Sequence, residues 1–218
     1  MKKFTNEEYT TLVDNGITSF PSGDYSDIKE FKEFSTFGEG SLFGDFSTFG
    51  KRCTFGKSST FGKSSAFGDF CSFGKLSKFG KLCTFEEFCD FGEFSTFSKL
   101  SKFEEGCDFG GYCHFSNYSS FGDSCTFGKC CTFGKFSSFE GMPAKDNNPF
   151  IAIDRAGSGH RKTYFFNLVG GIYVRSEDFF GSLVYFKLMV EQDFLENKNK
   201  KERDVYLKFA EIVEIQFT

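Results

Sequence analysis

The chain has 218 residues and a formal net charge of −4, and 36 of its residues are Phe. Its length is sufficient for one repeat domain and one small additional domain. The mild charge gives no electrostatic support for nucleic-acid binding, and no apolar run is long enough for a membrane span.

Residues 1–30 are predicted to form an N-terminal cap. Thr5 and Glu8 match a capping box and Gly16 suits a helix end, so we expect a short helix at 5–14. A short strand is expected at 17–20 and a turn at 21–24. The cap would cover the open end of the repeat that follows. Residues 1–8 lack the apolar segment of a signal peptide, so a cytoplasmic protein is expected.

Residues 31–141 are dominated by a six-residue repeat. Phe recurs at every sixth position from Phe37 to Phe139, eighteen times, and the residue two before each is Ser or Cys. Residues two apart share one side of a strand, whereas this spacing would scatter the Phe residues around a helix. Gly follows most of them and is expected to supply the unusual backbone of a corner. Three hexads would close a three-sided coil, giving a parallel β-solenoid of about six coils.

The cysteines support a coil of eighteen residues. The small position read at this interval from Ser35 gives one cysteine column: Cys53, Cys71, Cys89, Cys107 and Cys125. A flat, two-sided coil of twelve residues would scatter these cysteines and is the alternative fold. Eight of the nine cysteines occupy this inward position and are interpreted as packing residues of a reducing compartment, while Cys130 is outward. A metal or redox device is the alternative interpretation of the column.

The hexads resemble those of the hexapeptide-repeat family, as in Phe55-Gly56-Lys57-Ser58-Ser59-Thr60. The resemblance implies a left-handed parallel β-helix. This chain departs from the family motif in having Phe where an aliphatic residue is usual. Three rings per coil should fill the interior in an offset stack, so no axial ligand channel is expected.

The third residue after each Phe is expected to point outward, yet it is often apolar. Stacked apolar side chains at the surface favour a contact surface. The interface is therefore predicted at Phe46, Leu76, Leu82, Phe94, Leu100, Tyr112, Tyr118 and Phe136. The alternative is that these side chains cover the coil edges. Because the family often forms trimers, the resemblance implies a homo-oligomer, either a trimer or a dimer.

Residues 142–149 are predicted to be a linker, and residues 150–218 a small α+β domain. Strands are expected at 150–154, 163–168 and 172–175, with a hairpin turn at Gly170-Gly171. Helices are expected from Leu183 to about Glu196 and from Glu202 to about Ile215.

Two places could carry chemistry. The Gly-rich loop with Ser158, His160 and Arg161, together with Arg175, could hold a phosphate or carboxylate. An ordinary basic hairpin loop is the alternative interpretation. The family resemblance also suggests an acyltransferase, with His114 as the histidine in the repeat, but no loop interrupts the hexads as such enzymes usually require.

We therefore expect a non-enzymatic scaffold or binding protein without metal or cofactor, and an acyltransferase-like enzyme is the alternative. The chain also looks like uncharacterised bacteriophage and prophage proteins that combine Phe-Gly hexads with a similar tail. That resemblance implies a host-cell cytoplasmic protein that interferes with host defence by binding a host protein or a small nucleotide. Binding to nucleic acid or membrane is not expected.

Overall fold

The computed structural model describes residues 1–146, 149–156, 161–176, 179–197 and 200–217. The side chains of 154–156, 161–162, 193–197 and 200–202 lie outside this description. The chain divides into two compact units, Met1–Gly141 and Met142–Thr218.

A helix at Asn6–Asp14 begins the first unit. The Thr5 hydroxyl accepts a hydrogen bond from the Glu8 backbone N–H, and the Glu8 carboxylate accepts one from the Thr5 N–H at 2.8 Å. The predicted capping box is thereby confirmed. Phe4 stacks on Tyr25 with 4.7 Å between ring centroids, so aromatic packing extends from the repeat into this N-terminal segment.

The rest of the first unit is a parallel β-solenoid with three walls of seven two-residue strands. The first wall contains Ser19–Phe20, Thr36–Phe37, Thr54–Phe55, Ser72–Phe73, Asp90–Phe91, Asp108–Phe109 and Thr126–Phe127. The second wall contains Asp24–Tyr25, Leu42–Phe43, Thr60–Phe61, Lys78–Phe79, Thr96–Phe97, His114–Phe115 and Thr132–Phe133. The third wall contains Glu30–Phe31, Thr48–Phe49, Ala66–Phe67, Thr84–Phe85, Lys102–Phe103, Ser120–Phe121 and Ser138–Phe139.

Strand pairing establishes the length of the coil. Phe55 pairs with Phe73, and Phe73 with Phe91, so neighbouring strands of a wall are eighteen residues apart. The first coil is one residue shorter, because Phe20 pairs with Phe37. This pairing excludes the flat coil of twelve residues. Since the first wall begins at Ser19, the solenoid has about seven turns where about six were expected.

Backbone hydrogen bonds join successive coils along the walls and at the corners. The Thr54 N–H donates to the Ser35 carbonyl at 2.9 Å, and the Gly56 N–H donates to the Phe37 carbonyl at 2.9 Å. At the corner, the Ser58 N–H donates to the Lys75 carbonyl at 2.8 Å. The ladder therefore continues around the corners and provides hydrogen-bond partners for the backbone there.

Phe rings fill the interior. Phe67 stacks on Phe85, one coil away, at 4.8 Å with 4° between ring planes. It meets Phe61, its neighbour around the same coil, edge to face at 5.0 Å and 86°. Both arrangements suit the ring quadrupole. The predicted axial stack is confirmed, and the edge-to-face packing around each coil adds a second set of ring contacts.

The glycine after the core Phe has a different role from the one expected. Positive φ occurs two residues later, as at Ser58 (φ +60°), and not at Gly56. A Cβ on Gly56 would lie 2.5 Å from the backbone nitrogen of Glu39 in the preceding coil. Glycine is therefore favoured there because two backbones approach closely. Glu86 occupies the equivalent position in another coil and keeps its ladder bond to Phe67, so the coils can adapt to a side chain.

The second unit begins with a two-residue strand, Met142–Pro143, followed by an antiparallel sheet and two helices. The sheet strands are Phe150–Ala156, Arg161–Leu168, Gly171–Ser176 and Phe179–Ser182, in that order, and the helices are Leu183–Asn197 and Lys200–Phe217. The fourth strand was not predicted. Leu168 pairs with Gly171, so the hairpin turn is Val169-Gly170, one residue earlier than expected.

The helices cover one face of this sheet. Phe165 and Val174 from the sheet pack with Phe186, Val190 and Val213 from the helices in one buried cluster. The combination of a small antiparallel sheet and two helices agrees with the predicted α+β domain.

Candidate interaction surface

The third residue after each core Phe lies at a corner of the solenoid and has a left-handed backbone. We name the corners by the walls that they join: the first corner lies between the first and second walls, the second between the second and third, and the third between the third and first. Apart from Gly40 and Gly106, the described residues at this position from 34 to 136 are not glycine and have φ between +55° and +64°. This conformation costs about 1–2 kcal/mol for a residue with a Cβ. Bulky residues nevertheless occupy many corners.

The corner side chains are exposed and form short stacks between coils. Phe94 and Tyr112 stack at 4.9 Å in the first corner, and Tyr118 and Phe136 stack at 5.0 Å in the second. The exposed fraction reaches 62% for Phe46. All eight residues of the predicted interface are exposed: Phe46, Leu76, Leu82, Phe94, Leu100, Tyr112, Tyr118 and Phe136.

The third corner carries a further aromatic group that was not among the predicted interface residues. Phe70 and Phe88 stack at 5.3 Å, and the Arg52 guanidinium lies 5.5 Å from the Phe70 ring centroid and 5.7 Å from that of Phe34. Such cation–π contacts are worth about 0.5–1 kcal/mol at exposed sites. The eighteen-residue interval in the sequence places Arg52, Phe70 and Phe88 in one outward column.

The cysteine column is buried and contains free thiols. The Cys71 thiol donates to the Gly50 carbonyl of the preceding coil at 3.5 Å, whereas the Ser59 hydroxyl donates to the Gly56 carbonyl of its own corner at 2.8 Å. Cys83 is an inward cysteine of another column, and burial raises the pKa of its thiol to about 11. Among the described residues, no group of His, Cys, Asp and Glu side chains has an arrangement suited to a metal ion. These contacts support packing as the role of the inward cysteines, and Cys130 is exposed.

His114 lies on the second wall with its side chain exposed. Its Nδ1 is 2.7 Å from the Thr132 hydroxyl in the next coil. The strand containing His114 is part of the continuous ladder, because His114 pairs in register with Thr96 and Thr132. The acyltransferase alternative stays a prediction.

The predicted anion site is described only in part. Ser158 and His160 lie outside the described residues, and Arg161 begins a strand although its side chain is also outside them. Arg175 lies on the next strand, where it pairs with Tyr164 and Phe180, and its guanidinium is 5.2 Å from the Phe180 ring centroid. Convergence of the four residues on one ligand therefore stays a prediction.

Two further groups were not among the predicted site residues. Phe150, Tyr164 and Phe166 form an aromatic cluster in the second unit, with Phe150 5.5 Å from Tyr164 and 5.6 Å from Phe166. On the first wall, Asp90 and Asp108 are paired in register, and the pKa of Asp90 is raised by burial and by the nearby Asp108 carboxylate. Their eighteen-residue separation was the available signal for the Asp pair.

Comparison with family models, with curated proteins and with solved structures finds no match to this chain. Within the part of the chain that the structure describes, no helix has the length and apolar character needed to cross a bilayer.

Proposed function

We propose that the chain is a non-enzymatic scaffold that self-associates through its solenoid corners and presents its C-terminal unit to a partner. The rigid parallel ladder suits a scaffold because each coil is hydrogen-bonded to the next. We further propose that the solenoid is a left-handed β-helix of the hexapeptide-repeat type.

Bulky apolar residues at strained corners are the observation that carries this proposal. Glycine would relieve the left-handed conformation, yet Phe94, Leu100 and Tyr118 occupy it with about half of each side chain exposed. A contact surface explains why such residues are retained, because exposed apolar patches commonly mark interaction sites. A second copy of the chain is the proposed occupant.

Native mass spectrometry of the full chain over a range of protein concentrations tests self-association. The expected result is a discrete homo-oligomer whose population increases with concentration. A monomer throughout the range would contradict the proposal. Replacing Leu82 and Leu100 by Ser should weaken the oligomer, and Ser64 in the same corner column indicates that Ser is compatible with that backbone, with φ of +55°.

For the C-terminal unit we propose a host protein or a small nucleotide as partner, and a phage protein that interferes with host defence as the biological role. The basic residues Arg161 and Arg175, with Ser158 and His160 in the loop, would supply the anion-binding groups. A thermal-shift panel of nucleotides tests the small-molecule branch. Binding should raise the unfolding temperature, and Arg161→Ala should abolish that rise; no shift with any nucleotide would count against nucleotide capture.

A further inference from the structure

Charge is separated by corner, although Lys, Asp and Glu alternate along the sequence. The relevant position is the second residue after each core Phe. In the second corner this position contains Asp45, Lys63, Lys81, Lys99, Asn117 and Lys135. In the third corner it contains Glu33, Lys51, Asp69, Glu87, Glu105 and Asp123. One corner is therefore mainly basic and its neighbour mainly acidic.

These charges are only partly neutralised within the molecule: Lys63 pairs with Asp45 at 3.4 Å in the second corner, and Lys51 pairs with Asp69 at 2.5 Å in the third. Lys81, Lys99, Glu87 and Glu105 are exposed, and none of them forms an ion pair with another described residue. In the first corner most charges pair between coils in the same way, as in Lys57–Glu39 at 3.1 Å and Lys75–Glu93 at 2.8 Å. The second and third corners thus present complementary charge to a partner.

The complementarity holds coil by coil. Each second-corner residue has a third-corner residue six positions later in the sequence. Six residues are one third of a coil, so the two differ in height along the solenoid axis by about a third of the ~4.8 Å coil spacing, or ~1.6 Å. The matched levels are Lys63 with Asp69, Lys81 with Glu87, Lys99 with Glu105, and Asn117 with Asp123. At the first level the second corner is acidic and the third is basic, because Asp45 matches Lys51 and the adjacent Arg52. The two charges are therefore still opposite.

The third wall, which joins these two corners, can approach another surface closely. Its outward residues are mostly small and uncharged: Thr48, Ala66, Thr84, Ser120 and Ser138. The exceptions are Glu30 in the first coil and Lys102, whose ammonium pairs with Glu104 of the same chain.

We infer that the third wall is the contact between two copies of this chain, packed with parallel solenoid axes and in register. A two-fold axis along the solenoid direction brings the second corner of each copy against the third corner of the other. Both corners of the wall are then paired with opposite charge at four of the five matched levels, and at the fifth the neutral Asn117 meets Asp123. This inference rests on the proposed self-association and specifies its surface, orientation and number of copies.

The same charges oppose the antiparallel alternative. If the two walls packed with their axes reversed, each second corner would meet the second corner of the other copy, and each third corner would meet a third corner. Lys81 and Lys99 would then face lysines, and Glu87 and Glu105 would face acidic residues. Repulsion between like charges disfavours that arrangement. The distribution of charge therefore favours parallel over antiparallel solenoid axes in the dimer.

Two charge-reversal variants test the inference. The first carries Lys81→Glu and Lys99→Glu, and the second carries Glu87→Lys and Glu105→Lys. Each variant alone should dimerise at least tenfold more weakly than the natural chain. An equimolar mixture should recover dimers that contain one copy of each, because both corners are then complementary again. Native mass spectrometry, with one variant carrying a mass tag, distinguishes the homodimers from the mixed dimer.

Lys57→Glu with Lys75→Glu is the matched control, since it makes the same charge change in the first corner. Its dimer affinity should equal that of the natural chain. A natural chain that is monomeric at all concentrations overturns both this inference and the proposed self-association. A natural oligomer of another size, or one that neither variant weakens, or variants that do not recombine, overturns this inference while self-association stands.

Discussion

Two positions of each hexad have different backbone requirements. The residue after the core Phe must allow close approach of the neighbouring coil, as Gly56 does. The residue two positions later must adopt a left-handed conformation, as Ser58 does at φ +60°. Glycine at the first position and bulky residues at many of the second positions place apolar side chains at the corners.

Replacing Ser58 by Gly is expected to stabilise the fold. Glycine adopts positive φ at no steric cost, so the free energy of unfolding should increase by about 1 kcal/mol. Ser72→Gly is the control, because Ser72 lies in a first-wall strand and has no positive φ. It should destabilise by about 0.5–1 kcal/mol. Urea unfolding of both variants measures whether the free energy of unfolding changes in opposite directions. A destabilised Ser58→Gly variant would contradict the prediction.

Buried cysteines should make stability depend on alkaline pH. Since the pKa of Cys83 is raised from 9.0 to about 11, the neutral thiol is favoured in the folded chain. Its stabilising contribution is complete below about pH 9 and is lost as the pH rises from 9 towards 11. The loss corresponds to about 2–3 kcal/mol for this group.

Cys83→Ser tests that dependence without changing the repeat, because Ser65 and Ser101 occupy the same column in the adjacent coils. The variant should lose less stability than the natural chain when urea unfolding at pH 8 is compared with unfolding at pH 10.5. The remaining cysteines provide a common background in both proteins. An identical pH dependence would show that Cys83 does not contribute.

At the scale of one coil, three rings and three hydrogen-bonded corners form a unit that contacts only its neighbours. Phe79 stacks on Phe61 at 4.9 Å and on Phe97 at 4.7 Å, while Phe73 and Phe85 meet it edge to face at 5.0 Å each. Ring contacts therefore run both along the axis and around the coil. An aliphatic side chain would fill part of the volume but would lose the stacking.

Phe79→Ala is expected to destabilise the solenoid by about 3–5 kcal/mol, because it removes a large buried side chain from between two coils. Phe79→Leu should cost less, since Leu recovers much of the buried apolar area. Chemical denaturation of both variants provides the comparison. Equal losses would indicate that ring geometry matters more than filled volume at this position.

For the whole molecule, the separation of charge between two corners makes association sensitive to salt. The Debye length decreases from about 10 Å at 0.1 M to about 3 Å at 1 M ionic strength, so exposed ion pairs between copies are screened. The dimer dissociation constant should increase at least tenfold between these conditions. Analytical ultracentrifugation checks this result. Association that strengthens with salt would indicate apolar corner contacts, without a contribution from the charged corners.

Much of the first unit followed from the sequence because its repeat is uninterrupted. An eighteen-residue interval between cysteines predicted the three-sided coil, and residues two apart in a strand predicted which side chains are inward. Exposure of corner residues such as Phe46 and Tyr112 followed from the same alternation. The second unit was predicted less fully: the strand Phe179–Ser182 contains Gly181 and is too short to show a clear alternation.

The sequence by itself determined the period, the inward Phe and small residues, and the cap around Thr5 and Glu8, because these depend on local geometry and spacing. Only the tertiary structure decided which glycines serve close approach and where positive φ falls, since both depend on the distance between backbones in successive coils. It also decided which corner charges are neutralised within the chain. Lys57 and Glu39 lie close enough to pair across two coils, whereas Lys81 and Glu87, six residues apart, lie on separate corners and form no ion pair with another described residue.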